Sequence, residues 1–232
     1  RQDPGTWEFP SEVTPDQFYL DARKLFHGLI DIRLGRQDFI YGTGKILADG
    51  TPLDGPRTFF ADGAKITFNF EGHSLDLLGL YTAQQPQQDI NLIETDQWAA
   101  GLYGHYRRFE QVPLEYYWIY KHENDTATSY KVAGQYVTAD ADFSTFGFRV
   151  MPKFGSSLTG NLEVATQAGS QGLDDVNGTL VDASLSYSLH LLPDYKPLLK
   201  LGYWYLSGNE PDSTSNEGWH PVYGRQPQDN WG

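Results

Sequence analysis

Cysteine is absent from the chain, which rules out a disulfide-stapled scaffold and a thiolate zinc site and leaves the compartment open. Long apolar runs are missing too. No stretch approaches the roughly 18 consecutive apolar residues of a membrane-spanning helix, and no long segment keeps a 3.6-residue period. With 24 glycines and 13 prolines punctuating the sequence, helix is excluded as a main element. Positive charge is scarce: Lys and Arg number 17 against 30 Asp and Glu, a net charge of -13. Nucleic acid is therefore not an expected partner, since phosphate backbones are bound by clustered Lys and Arg. The six histidines, His27, His73, His105, His122, His190 and His220, show no HExxH or other close metal spacing.

What the chain has in quantity is aromatic residues, 15% of the total, too many for a disordered protein. It also has alternation. Ile30, Ile32 and Leu34 are separated by Asp31 and Arg33, and Ala64, Ile66, Phe68 and Phe70 by Lys65, Thr67 and Asn69. A period of two is the mark of a strand with one apolar and one polar face. Strands are predicted at Phe18 to Leu25, Leu29 to Gln37, Ala64 to Glu71, Leu75 to Tyr81, Trp98 to Arg107, Leu114 to Lys121, Phe143 to Met151, Leu158 to Ala168, Thr179 to Leu191 and Leu198 to Leu206. The fold class is all-β, in a single domain over residues 1–232, with about ten strands in this chain.

The links alternate in length. Short ones follow Leu25, Glu71, Arg108, Pro152 and Leu192, and long polar ones follow Gln37, Ala83, His122, Ala168 and Ser207. Outer-membrane barrels are built this way, with short periplasmic turns and longer extracellular loops. Tyr130 to Thr138 alternates as well, but as a wall strand it would reverse every later loop, so it is assigned to a loop as an inward fold or an extra hairpin. By the same parity Leu29 to Gln37 is a wall strand and Asp38 to Ala61 the surface loop it feeds. Tyr19, Trp98, Tyr106, Tyr116, Trp118, Tyr187, Tyr203 and Tyr205 read as an interfacial girdle.

If the apolar face is outward, the interior carries about as many cations as anions, and the acidic excess sits in the loops, at Asp62, Glu123, Asp140, Asp142, Asp174 and Asp175 among others. Arg33, Lys65, Arg107 and Arg149 are then cationic lumen contacts, with Asp31, Glu115 and Glu163 as their partners. Glu115 and Glu163 could also be read as a glycosidase pair, but carboxylate pairs arise freely in so acidic a chain, and an enzyme is not expected. Gly42-Thr43-Gly44-Lys45 lacks the first glycine and the Ser or Thr of a phosphate loop and is read as a turn. No cofactor is expected; the acidic clusters Asp174, Asp175, Asn177 and Asn209, Glu210, Asp212 could at most hold calcium in the loops.

Several stretches resemble, in order, the motifs of the alginate export family of bacterial outer-membrane barrels: "DIRLGRQDFIYGTGKILADGTPLDGPRTF", "DGAKITF", "FSTFGFRV", "NLEVATQAG" and "KPLLKLGYWYLSGNEPDSTSNEGWHPVYGR". The likeness covers about Phe18 to Arg225. It implies an 18-stranded antiparallel up-and-down barrel in the outer membrane of a Gram-negative bacterium, of which this chain would be an interior portion. Matched motif residues are Arg33 and Arg36 of "RLGRQ", Arg57 of "GPRTF", Arg149 of "GFRV", and Glu163 and Gln167 of "EVATQ".

The implied partners are outer-membrane lipid and lipopolysaccharide, and small polar or carbohydrate solutes passing by diffusion; the oligomeric state is left open. An exporter of a polyanion is expected to line its pore with excess Arg and Lys, whereas this interior is balanced. The rival reading is a soluble all-β module that binds carbohydrate through exposed Trp and Tyr. A third reading is a plugged structural barrel.

Overall fold

The computed structural model describes residues 17–48, 61–82, 97–124, 129–132, 135–190, 195, 197–209, 215–220 and 222–223, the side chains within 129–138 excepted. One antiparallel sheet dominates. Its strands are β1 (Phe18–Lys24), β2 (Ile30–Gln37), β3 (Ala61–Phe70), β4 (His73–Thr82), β5 (Gln97–Tyr106), β6 (Leu114–Glu123), β9 (Ala141–Val150), β11 (Leu158–Gln171), β13 (Thr179–Ser188) and β14 (Leu198–Leu206), each paired with the next in that order. Two short strands, β10 (Lys153–Phe154) and β12 (Asp174–Val176), pair only with β11 and bring the sheet to 12 strands. A meander of this kind follows from the short links, which permit only antiparallel neighbours. β1 and β14 are the two edges and are not bonded to each other.

All ten wall strands expected from alternation are present. Between β6 and β9, β7 (Ser129–Val132) and β8 (Gln135–Thr138) form a separate two-stranded hairpin, so the Tyr130 to Thr138 segment is an extra hairpin outside the wall. The long loop expected after Ala168 is not one. β11 runs on to Gln171, turns at Gly172 (φ 60°) and returns as β12, with Gln171 opposite Asp174. Polar composition hid a strand extension there: the added residues stay paired with β9 as far as Gln171 opposite Ala141, and Val176 of β12 is their one buried apolar side chain.

The register sorts the side chains cleanly. Ile32, Ile66, Leu77, Leu102, Trp118 and Phe146 form one continuous cross-strand row, and Phe148, Val164, Val181 and Tyr205 form another on the same face. Among the described wall residues the only Asp, Glu, Lys or Arg with the parity of this apolar face are Arg36, Asp62 and Asp142, at the strand ends nearest the long loops, and Lys24, the last residue of β1, at the short-turn end. The face is not covered: Leu77, Phe146, Phe148 and Leu185 are exposed, and Leu201 is 71% exposed.

Rings cluster at both margins of this face. Towards the short turns Phe70 stacks on His73 (5.8 Å) and His73 on Tyr116 (6.0 Å). Towards the long loops Trp98 packs against Tyr120 (5.2 Å) and His122 (5.8 Å). On β4 the two levels are marked by His73 and Tyr81, a span of roughly 26 Å along the strand at about 3.3 Å per residue. Two expected girdle residues lie elsewhere. Trp118 sits in mid-strand, and Tyr19 is on the opposite face, where the Arg33 guanidinium lies 4.2 Å from its ring centroid.

Candidate functional site

The second face gathers the remaining wall charges: Asp21, Arg23, Asp31, Arg33, Lys65, Asp76, Glu115, Lys121, Glu123, Arg149, Glu163, Asp182 and Lys200 share one register parity. What lies on it was not expected. Residues 38–48, read from sequence as the start of a surface loop, fold back across this polar face instead. Tyr41 and Leu47 pair as a small hairpin (Tyr41 N–H to Leu47 O, 3.1 Å) whose tip is Gly42-Thr43-Gly44-Lys45. The tip is a turn, with Gly42 at φ 58° and Gly44 at φ 79°. Gly42 is needed for a second reason: a Cβ there would lie 3.2 Å from the Tyr103 hydroxyl.

The strap is held by polar contacts that cross the sheet. The Tyr41 hydroxyl donates to Asp76 on β4 (2.5 Å), the Thr43 hydroxyl to Glu163 on β11 (3.2 Å), and the Lys45 ammonium pairs with Asp182 on β13 (2.9 Å). Lys45 also lies 4.9 Å from the ring centroid of Trp204 on β14. Beneath the tip the wall supplies a matching network. Arg149 donates to Glu115 (3.0 Å) and to Asn161 (2.5 Å); Tyr103 donates to Glu115 (2.8 Å) and Tyr117 to Glu163 (3.0 Å). His105 sits 3.2 Å from the same Glu115. Gly147 makes room for this: a Cβ there would meet the Tyr117 ring at 2.3 Å. Burial, with the Asp76 carboxylate beside it, pushes the Tyr41 hydroxyl far above its ordinary pKa, so it stays a hydrogen-bond donor.

A second segment joins the strap from the far end of the chain. Gln167 clamps His220 through both main-chain groups (Nε2 to His220 O, 2.7 Å; His220 N–H to Oε1, 2.8 Å). Asn216 bonds back to β12 and its flank, and Tyr223 exchanges backbone hydrogen bonds with Ile46 and Ala48. Lys121 reaches both Glu123 and the Val222 carbonyl, with the Tyr223 ring 4.3 Å away. Burial and the nearby Glu123 carboxylate raise the Tyr223 pKa in turn. Between these anchors Phe39, Ile46, Leu47, Trp219 and Val222 pack on Leu78, Leu80, Ile119 and Phe143 as a dry cluster. The polar face is therefore covered in part.

Of the predicted site residues, Glu115, Arg149 and Glu163 meet in the network under the strap, and Gln167 holds the second segment. Asp31, Arg33 and Lys65 form a different group. They line a cavity of about 210 Å³ with Asp21, Arg23 and Thr67, in which Arg33 pairs with Asp21 (2.7 Å) and Asp31 accepts from Asn69 (3.0 Å). Lys65 makes no ion pair among the described residues. Arg107 belongs to neither: it is exposed in the turn after β5, its N–H bonded to Gly72 O (2.7 Å).

Arg36 requires correction. It lies on the apolar face opposite Asp62, to which it is bonded (3.0 Å). Arg33 and Arg36 are an odd number of residues apart, so one strand without a bulge cannot turn both the same way. Glu123 is likewise no loop residue but sits buried on the polar face, and Asp62 and Asp142 are strand residues. Asp174 and Asp175 belong to β12, and no group of three metal-binding side chains converges among the described residues. Arg57, Glu210 and Asp212 lie outside those residues.

The sequence pattern of the alginate export family matches residues 10–232. The chain belongs to the alginate export family. That is an outer-membrane transport family rather than an enzyme family, in keeping with an antiparallel sheet that has one bare apolar face and no helix long and apolar enough to span a bilayer among the described residues. No curated protein matches the chain. The residues sequence reasoning missed are Tyr41, Thr43 and Lys45; their one signal was an alternating "YGTGKI" stretch ending in the apolar Ile46 and Leu47, unusual for a loop open to solvent.

Proposed function

We propose that this member of the alginate export family forms wall and internal strap of an outer-membrane β-barrel in a Gram-negative bacterium, passing small hydrophilic or carbohydrate solutes by diffusion without catalysis. The observation that carries the reading is the sorting of charge: the wall charges are collected on one face, and the exceptions lie at the strand ends of the other. An apolar face bounded by rings at both margins fits a hydrocarbon layer, and a charged face fits a water-filled bore. Lipid does not tolerate an open edge, so in this reading the edges of β1 and β14 are paired in the assembled barrel, to which we assign 18 strands.

Selectivity in this reading comes from the width left beside the strap and from side chains of both signs. Glu115, Glu163 and Asp182 stand against Arg149 and Lys45 under the tip, and Arg33 and Lys65 against Asp21 and Asp31 in the open cavity. Such a balance suits neutral sugars better than a polyanion. Full-length protein in a planar bilayer should give steady ohmic conductance, and proteoliposomes should swell in small sugars. Protein that stays in the aqueous phase without detergent, or that inserts but neither conducts nor admits sugar, would contradict the proposal.

A further inference from the structure

We propose that the short-turn end of the sheet is a binding surface for anionic phospholipid headgroups. The inference rests on the membrane reading above and adds a lipid partner to it. In an acidic protein this end is basic. Among the described turn residues Lys24, Arg107, Arg108 and Lys153 are exposed cations, against the two anions Glu71 and Glu110.

The cations come with exposed rings. Phe26 is 72% exposed two residues after Lys24, Phe109 (64%) follows Arg108, and Phe154 (57%) follows Lys153; Tyr195 in the last short turn is 81% exposed. Lys or Arg beside an exposed aromatic is thus repeated in three separate turns. The backbone of the first turn is shaped to present its ring: Lys24, Phe26 and His27 all have positive φ (57°, 51° and 62°), a region bulky side chains seldom enter.

Two features favour lipid over a soluble acidic partner. The turn rings continue the aromatic margin of the apolar face, since Phe109 packs edge-on against Tyr106 at 5.8 Å. The doublets are also spread over turns from β1–β2 to β9–β11, as contact with a continuous headgroup layer would require and a compact protein footprint would not. A ring at the carbonyl level with an adjacent cation at the phosphate is the chemistry of an interfacial anchor.

The test uses full-length protein in phosphatidylcholine vesicles with and without phosphatidylglycerol, and reads the preference of spin-labelled phosphatidylglycerol over phosphatidylcholine at the protein boundary. The expected result is a preference that falls with added salt and is reduced roughly two- to fivefold for each charge removed in Lys24→Gln, Arg108→Gln, Lys153→Gln. The charge-preserving set Lys24→Arg, Arg108→Lys, Lys153→Arg should retain it, which separates charge from misfolding. No preference in the unaltered protein, an unchanged preference in the glutamine set, or retention of a soluble polyglutamate by these turns without lipid preference would overturn the inference. Failure of the full-length protein to insert in any vesicle would instead overturn the membrane reading, and this inference with it.

Discussion

Two groups of charged residues share the polar face and differ in what lies above them. Asp31, Arg33 and Lys65, on β2 and β3, border an open cavity. Glu115, Arg149 and Glu163, on β6, β9 and β11, lie under the strap, with Glu163 only 1% exposed. Both groups mix carboxylates with cations, and their register parity is the same. The environment differs because a loop leaving β2 crosses the sheet to Glu163, 120 residues away in sequence. An ion pair open to water contributes little, whereas a charge stripped of water depends on every partner it has. The face a residue points to is a local property; its access to solvent is not.

The contrast is sharpest for the arginines. Removing Arg149 (Arg149→Ala) takes the guanidinium from buried Glu115, leaving it only Tyr103 and His105, and weakens the surroundings of Glu163; it should cost about 3 to 5 kcal/mol in denaturant unfolding of the full-length protein. Arg33→Ala should leave the unfolding midpoint nearly unchanged, because its Asp21 partner is in contact with water. Equal costs would erase the distinction between covered and open halves.

Packing under the strap gives the next effect. Gly147→Ala places a methyl group where the Tyr117 ring now lies, so the ring must move away from Glu163; a loss of about 1 to 3 kcal/mol is expected, relieved when Tyr117→Ala is added. Tyr41→Phe removes one hydrogen bond to buried Asp76 and should cost about 1 to 2 kcal/mol, with faster proteolysis at Lys45 as the strap loosens. Lys65→Glu should have the smallest effect on stability and yet move the reversal potential towards cation preference in a bilayer recording. A stability loss there as large as at Arg149 would mean the cavity is covered as well.

Much of this molecule was legible in its sequence, and the limit is instructive. Alternation placed the ten wall strands because each has one face in contact with apolar surroundings, a condition that writes a period of two into residues such as Ile30 to Leu34 and Ala64 to Phe70. Parity even set the β7–β8 hairpin outside the wall. It also held the information that Arg33 and Arg36 must part, which the motif match obscured. The strap was not legible, since nothing about Tyr41, Thr43 or Lys45 names Asp76, Glu163 or Asp182 as partners; those contacts exist only once the sheet has formed. The same holds for Gln167, whose amide is spent on the main chain of His220.

The orientation of the two faces is the claim on which the rest depends, and the lack of cysteine makes it directly measurable. Single substitutions Ile32→Cys, Ile66→Cys and Leu201→Cys would be compared with Arg33→Cys, Lys65→Cys and Lys200→Cys in full-length protein reconstituted in vesicles. The second set should react with a small membrane-impermeant maleimide, while the first resists it and, once labelled in detergent with a fluorophore, is quenched by brominated acyl chains. Maleimide labelling at positions 32, 66 and 201, with bromolipid quenching at 33, 65 and 200, would contradict the account.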